Sequence, residues 1–248
     1  MKVRKILVSQ PEPLDFEKSP YGELTQKYKV DIDFKKFITV EGVTSSEFRK
    51  DKVYIQDHTA IIFTSRNAVD HFFRIAKEMR VDIPDTMKYF CISEATAFYL
   101  QKYVQFRKRK IFSGKQSFED LLELIKKHKD EKFLLPCSDI HKLSLIELLD
   151  ESGVKYSKAI IYKTLASDLS SIDISNYDLI VFFSPAGVKS LFKNFPEYKQ
   201  NHTLIGAFGP TTMNAVKESG LNLDIAAPTK TALSMTVAIE QYLQKSTK

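Results

Sequence analysis

The chain has 248 residues, more than one average domain needs and enough for two small domains with a core each. Hydrophobic residues make up 43% and charged residues 27%, values typical of a globular chain, and they exclude extensive disorder. The formal charge is +6 and the pI is near 9.0, which favours an anionic partner.

The sequence lacks the patterns that are typical of membrane proteins, metalloproteins and disulfide-rich proteins. The apolar run Ile6–Val8 is far too short for a signal-peptide core, and no stretch approaches the length of a membrane span, so we expect a cytoplasmic protein without a membrane partner. Cys91 and Cys137 lack CxxC spacing, and none of the five histidines forms an HxxxH or HExxH pattern. We therefore predict buried thiols and no metal site.

The densest basic run is Arg107–Lys110. A nucleic-acid interface is one interpretation of this run. A solvated surface is the preferred one, because no set of stacking aromatic residues and no zinc spacing accompanies the charges. We predict no nucleic-acid partner.

Along the chain, the elements repeat in the order A (1–42), B (58–128), A′ (131–165) and B′ (176–244). Segments A and A′ each begin with an apolar strand and lead through a helix to a second strand, predicted over Val30 to Val40 in A and over Val154 to Thr164 in A′. Segments B and B′ each contain three successive strand–turn–helix units. The sequence therefore predicts an internal duplication.

The correspondence between B and B′ can be read directly. HTAIIFTSRNAVDHFFRI matches YDLIVFFSPAGVKSLFKN, and KYFCISEATAFYLQKYV matches TLIGAFGPTTMNAVKESGL, each as an apolar strand, a polar turn and an amphipathic helix. The alignment pairs Ser65 with Ser184, Ser93 with Gly209, and Thr96 with Thr212.

The predicted strands are apolar runs of four to six residues without polar alternation, and each is followed by a segment of helical period. This pattern is typical of buried parallel strands with crossover helices on both faces of a sheet. The predicted fold class is α/β, with two similar domains of flavodoxin-like or Rossmann-like architecture.

Ligands in such sheets bind at the carboxyl ends of the strands, where helix N-termini offer unpaired N–H groups to carboxylates or phosphates. For any single residue, a helix cap is the simpler interpretation. Because the set recurs in both halves, we predict a binding site in a cleft between the two domains. Its candidate residues are Thr64, Ser65, Ser93, Thr96, Ser184, Pro185, Ala186, Gly209, Thr211 and Thr212.

Tyr162 lies in the predicted strand KAIIYKTLA, where its phenol could donate a proton inside a cleft; a core or edge-strand tyrosine is the alternative. The sequence contains neither GxGxxG nor GxxxxGK[ST], so a nucleotide is not predicted. No Ser-His-Asp order or GxSxG elbow is present either. No cofactor is expected.

The motifs IIFTSRNAVDHFF, SGVKYSKAIIYKT, IVFFSPAGVKSLF, AFGPTTMNAVKESGL and AAPTKTALSMTVAI together resemble the uroporphyrinogen-III synthase family over almost the whole chain. This resemblance implies a discontinuous first domain (1–37 plus 167–248), a second domain (42–160) and a two-stranded linker at about 37–42 and 160–167. It also implies a reaction that needs no metal or cofactor. We expect a monomer.

The implied reaction is cyclisation of the linear tetrapyrrole hydroxymethylbilane to uroporphyrinogen III, with loss of water and inversion of ring D through a spiro intermediate. By resemblance, Tyr162 would be the proton donor, Thr96, Thr211 and Thr212 would bind substrate carboxylates, and Ser65 and Ser184 would add contacts at their helix starts. The alternative function is a non-catalytic two-lobed module that binds an anionic tetrapyrrole-like ligand.

The sequence departs from the family pattern at three places. The first strand ends in Ser9-Gln10-Pro11 where Thr-Arg-Pro is frequent, and Arg66 stands where a proline is common. The arginine that is often found after the proline of the A′ strand is replaced within Cys137-Ser138-Asp139. These departures affect expected anion contacts more than the expected fold.

Overall fold

The computed structural model describes residues 3–115, 117–140 and 143–246. The chain divides into two compact units, which we describe separately. Unit 1 contains the residues up to Thr39 and those from Leu165 onward, and unit 2 is Val40–Thr164. Unit 1 thus contains B′ and all of A except residues 40–42, and unit 2 contains B and all of A′ except Leu165.

The strands, in chain order, are β1 Lys5–Val8, β2 Asp31–Phe34, β3 Ile38–Gly42, β4 Ala60–Phe63, β5 Lys88–Cys91, β6 Ile111–Ser113, β7 Phe133–Ser138, β8 Tyr156–Ala166, β9 Leu179–Phe182, β10 Leu204–Phe208 and β11 Ile225–Ala227. The helices are α1 Pro20–Tyr28, α2 Ser45–Lys50, α3 Arg66–Glu78, α4 Glu94–Leu100, α5 Phe118–Lys126, α6 Leu143–Ser152, α7 Pro185–Asn194, α8 Pro210–Glu218 and α9 Met235–Ser246. Short 3-10 helices lie at Ile55–Asp57 and Ile174–Asn176.

The two sheets share one spatial arrangement of strands. Unit 1 has the order β2-β1-β9-β10-β11 with every neighbouring pair parallel, and unit 2 has β8-β7-β4-β5-β6, also parallel, with β3 added beside β8. Along the chain, unit 1 has the 2-1-3-4-5 order of flavodoxin-like folds. Unit 2 has the same spatial arrangement in a circularly permuted order, 5-4-1-2-3 for β4 to β8, because A′ follows B in the sequence. The predicted fold class, two similar α/β domains with parallel sheets, is confirmed.

Apolar side chains cover both faces of each sheet, because the central strands are buried along their whole length. In unit 2 one face packs on α3 and α4 around Phe63 and Phe72, and the other packs on α5 and α6 around Phe90 and Phe133. In unit 1 the corresponding faces pack on α7 and α8 and on α1 and α9. The helices therefore flank the sheets as the sequence pattern predicts.

The prediction of one continuous strand from Val30 to Val40 is wrong. This stretch is divided into β2 and β3, because Phe37 leaves the extended ladder and is fully buried against Phe182 in the core of unit 1. The carbonyl oxygen of Phe37 accepts hydrogen bonds from the Ser167 N–H and the Ser190 hydroxyl, which hold this break in place. Its counterpart β8 is continuous over eleven residues.

Within the described ranges, no helix is both long enough and apolar enough to cross a bilayer. Cys91 and Cys137 are free and buried, as predicted, and burial raises the pKa of their thiols to about 12 and about 11. Both therefore stay protonated at neutral pH.

We expect Phe63→Ala to lower the free energy of unfolding by about 3–5 kcal/mol, because Phe63 is fully buried on β4 and its loss leaves a cavity. The matched control is Phe98→Ala, since the Phe98 side chain is 75% exposed and its loss should change stability by less than about 0.5 kcal/mol. Urea denaturation followed by circular dichroism measures both. Equal effects of the two variants would contradict the described core.

Candidate active site

A hydrogen bond between two hydroxyls lies at the carboxyl edge of the unit 2 sheet. Ser65 follows β4 and Tyr162 lies on β8, and Ser65 Oγ is 3.2 Å from the Tyr162 hydroxyl oxygen. Either hydroxyl can donate. The strand order reverses between β4 and β7, which is where flavodoxin-like sheets hold their ligands.

A β-bulge directs Tyr162 towards this edge. The β7–β8 register pairs Cys137 with Ile160 but Ser138 with Tyr162, so β8 contains one extra residue, Ile161. Successive strand residues normally alternate between faces, yet Ile161 and Tyr162 both pack in the core beneath α3. The bulge therefore places the Tyr162 ring on the same face as Ser65 and α3.

Tyr162 is nearly buried, with 8% of its surface exposed. Burial raises the pKa of its phenol, the hydrogen bond from Ser65 opposes this rise, and the charge of Asp139 adds to it. The phenol is therefore protonated at neutral pH, as a proton donor must be. The ring of Tyr162 thus belongs to the core, while its hydroxyl reaches Ser65 at the strand ends.

His71 on α3 stacks on the Tyr162 ring, with centroids 5.1 Å apart and an interplanar angle of 22°. Its Nδ1 accepts a hydrogen bond from Arg74 Nε at 3.3 Å. Burial and the Arg74 charge lower the pKa of His71, and the Asp70 charge raises it less. A neutral imidazole therefore packs against the phenol.

The turn after β7 is organised by Asp139. Its Oδ1 accepts hydrogen bonds from the Ser138 hydroxyl at 2.8 Å and from the N–H groups of Ile140 and Thr164 at 2.9 and 3.0 Å. The Asp139 N–H in turn donates to the Tyr162 carbonyl oxygen at 3.2 Å. The residue that departs from the family pattern thus ties the end of β7 to β8 beside Tyr162.

The next candidates in unit 2 lie at the start of α4. Ser93 Oγ accepts from the Thr96 N–H at 3.3 Å and lies 3.2 Å from Thr96 Oγ1. Thr96 is only 5% exposed. This pair forms a helix cap, so here the capping interpretation describes the side chains, while the first-turn N–H groups remain at the strand edge.

Thr64 and Arg66 flank Ser65. Thr64 is half-buried between β4 and α3, whereas Arg66 is the exposed first residue of α3. The Arg66 guanidinium lies over the Tyr99 ring, 5.4 Å from its centroid. A cation therefore stands beside the first turn of α3 where the family pattern often has a proline.

In unit 1, the corresponding turn follows β9. Ser184 is the N-cap of α7, and its Oγ accepts from the Gly187 N–H at 3.1 Å, just as Ser65 accepts from the Ala68 N–H at 3.1 Å. Pro185 occupies the first turn, followed by Ala186. These small, donor-free side chains leave the remaining first-turn N–H groups open to an anion.

Gly209 starts the second candidate turn of unit 1 and has a φ of 87°, which favours glycine. It caps α8 without a side chain. Thr211 is exposed, whereas Thr212 is only 1% exposed. The structure thus brings the predicted residues to the carboxyl edges of their own sheets, but it buries Thr96 and Thr212 at equivalent positions.

Sequence reasoning missed His71, Ser138 and Asp139 as neighbours of Tyr162. Six residues separate the N-cap Ser65 from His71, a spacing that does not return to the same side of a helix, so the helical pattern gives no signal for this pair. The bulge that positions Tyr162 leaves no signal in the sequence.

Comparisons with known proteins give one consistent result. The family profile described as Uroporphyrinogen-III synthase HemD matches residues 37–236. Two similar solved structures are a mutant uroporphyrinogen III synthase from the thermophilic bacterium Thermus thermophilus, at 14% identity, and uroporphyrinogen-III synthetase from Helicobacter pylori, at 19% identity. Each has a TM-score of 0.60, and each alignment covers 98% of this chain and 99% of the other, which shows a shared fold. The curated proteins include no match.

We expect NMR titration of the histidine rings to give His71 a pKa below the ordinary value of about 6.5. Arg74→Gln removes a nearby positive charge and should raise this pKa, whereas Asp70→Asn removes a negative charge and should lower it further. A His71 that titrates at or above the ordinary value, or that shifts in the same direction in both variants, would contradict this environment.

Proposed function

The chain belongs to the uroporphyrinogen-III synthase family, and from that premise we propose that Tyr162 is the proton donor in cyclisation of hydroxymethylbilane to uroporphyrinogen III. The family's enzymes are lyases of tetrapyrrole biosynthesis, and the chain's substrate is a linear tetrapyrrole. The observation that carries the proposal is the protonated phenol beside Ser65 at the carboxyl edge of the unit 2 sheet.

The first chemical step is loss of the substrate's hydroxyl group. A proton from the Tyr162 hydroxyl converts this group into water as its bond to carbon breaks, which leaves an electrophilic carbon on the first ring. The substituted carbon of ring D attacks that carbon and forms the spiro intermediate. The bond between that ring D carbon and its original bridging carbon then breaks, and the freed bridging carbon bonds to the other α-carbon of ring D, which gives the inverted ring. The proton released from this second α-carbon balances the one that Tyr162 donated, so the net loss is one water.

Orientation decides the product, because the linear chain closes unaided to the uninverted isomer. The enzyme must therefore hold ring D with its substituted carbon against the electrophile. Ser65 and His71 fix the Tyr162 side chain at its hydroxyl and at its ring face, so the proton is delivered from one direction. We assign both as positioning residues.

Carboxylate binding is assigned to the helix starts at the carboxyl edges. The substrate carries eight carboxylates, which a chain of net charge +6 attracts. The backbone donors for them are the first helical turns that begin at Ser65, Ser93, Ser184 and Gly209. The exposed Thr211 is assigned a direct hydroxyl contact. The buried Thr96 and Thr212 act by holding the first turns that present the N–H groups.

The chain is further proposed to act as a monomer in the cytoplasm. Each unit has its own buried core, and both cysteines are free thiols, which suits a reducing compartment. Light scattering across a range of concentrations should give the mass of one 28.5 kDa chain. A concentration-independent dimer would contradict this assignment.

The reaction is tested by incubating the purified protein with hydroxymethylbilane and separating the oxidised products. We expect the type III isomer to predominate. The uninverted isomer alone, accompanied by ligand-dependent stabilisation, would identify a non-catalytic binding protein instead.

Tyr162→Phe tests the assigned proton donor. We expect kcat to fall about 100-fold, at the lower end of the range for general acid catalysis, because the hydroxymethyl group already leaves readily. KM should change little, since the ring stays in place.

Tyr156→Phe is the matched control for that variant. Tyr156 also lies on β8 and burial raises its pKa to about 12, but its hydroxyl donates to Asp150. Single-turnover rates of type III formation should be unchanged in this control. Equal rates in wild type and Tyr162→Phe would reject Tyr162 as the donor.

A further inference from the structure

A pocket of about 400 Å³ lies at the opposite end of the unit 2 sheet from Ser65 and Tyr162. It is lined by residues at the amino ends of β5 and β6, among them Met87 and Ile111, and by the segment after α4. Its volume lies within the range of small-molecule sites, roughly 300–1,000 Å³. The catalytic proposal makes no use of this pocket.

Aromatic rings form one side of the pocket. Phe73 and Tyr103 both line it and stack on each other, with centroids 4.5 Å apart and planes 4° apart. Tyr89 lies beside Phe73 at a centroid distance of 6.5 Å. Such a surface accepts a flat ring by offset or edge-on packing.

One polar group inside the pocket has no protein partner. Tyr89 lines the pocket and is 4% exposed, and its hydroxyl has no hydrogen-bond partner within residues 3–115, 117–140 and 143–246. Burial, with a contribution from Asp85, raises its pKa to about 12, so the hydroxyl is a neutral donor. A ligand in the pocket can accept a hydrogen bond from this hydroxyl.

Cations lie at the rim. Arg107 and Lys110 line the pocket, and Asp85 is the one carboxylate among its lining residues. These two cations are the ends of the basic run Arg107–Lys110, whose charges the cyclisation does not use. The lining therefore carries a net charge of +1, from two cations and one anion.

We propose that this pocket binds an aromatic carboxylate or phosphate of one or two rings, with its ring against Phe73 and Tyr103 and its anionic group between Arg107 and Lys110. A volume of 400 Å³ corresponds to about a dozen water molecules at roughly 30 Å³ each, which is too small to enclose the four-ring substrate. The pocket is thus a second ligand site, independent of the cyclisation proposal.

Calorimetric titration with 1-naphthoate, a two-ring aromatic carboxylate, tests the site in the full-length protein. We expect saturable binding of one naphthoate per chain. Naphthalene-1-methanol lacks the charge and cyclohexanecarboxylate lacks the aromatic ring, so both should bind more weakly than 1-naphthoate. Absence of saturable naphthoate binding at about 1 mM would overturn the proposal.

Variants locate the site. Arg107→Gln and Lys110→Gln should each weaken naphthoate binding about fivefold, the effect of one exposed charge pair. Tyr89→Phe, which keeps the ring and removes only the hydroxyl, should weaken binding about threefold or more.

The matched controls are Arg109→Gln, a neighbouring exposed cation outside the lining, and Ser65→Ala at the active site. Both should bind naphthoate like wild type. If Arg109→Gln weakens binding as much as Lys110→Gln, the attraction is unspecific; if Ser65→Ala abolishes binding, naphthoate occupies the active site. Either result would overturn the proposal.

Discussion

One extra residue in β8 determines where the phenol of Tyr162 lies. Regular alternation along β8 would place Tyr162 on the same face as Ile160, away from α3. The bulge opposite Cys137 and Ser138 returns it to the face of Ile161, where its hydroxyl reaches Ser65 and its ring meets His71. The proposed proton donor, its positioning residues and its raised pKa all depend on this local irregularity.

The turn at Asp139 supports the bulge. The hydrogen bonds that its carboxylate accepts from Ile140 and Thr164 link the end of β7 to β8 directly after the irregular step. A carboxylate here also raises the pKa of Tyr162.

The duplicated halves have diverged in chemistry while keeping one topology. In each unit, the helix that follows the central strand, β4 or β9, begins with a serine cap, at Ser65 or Ser184. The same parallel arrangement of strands requires the same tight turn at this point. Among the described residues, only the unit 2 copy adds a tyrosine and a histidine to that cap. The unit 1 copy offers Pro185, Ala186 and Gly209, whose backbones suit anion binding and whose side chains cannot transfer protons.

Much of this could be predicted from the sequence, since apolar runs, helical periods and the duplication are properties that neighbouring residues share. Parallel sheets, flanking helices, the serine turns and the buried cysteines follow from such patterns. The division of Val30 to Val40 into β2 and β3 could not be predicted, because it depends on Phe37 finding space against Phe182. The neighbours of Tyr162 were likewise hidden, since the bulge arises from pairing between distant strands.

A double-mutant cycle on Ser65→Ala and Tyr162→Phe tests the central claim most directly, with the single-turnover rate of uroporphyrinogen III formation as the readout. If Ser65 acts by positioning the phenol, Ser65→Ala should slow the wild-type reaction but have little further effect once the Tyr162 hydroxyl is gone. Additive losses in the double variant would show that the two hydroxyls act separately, which would contradict the account.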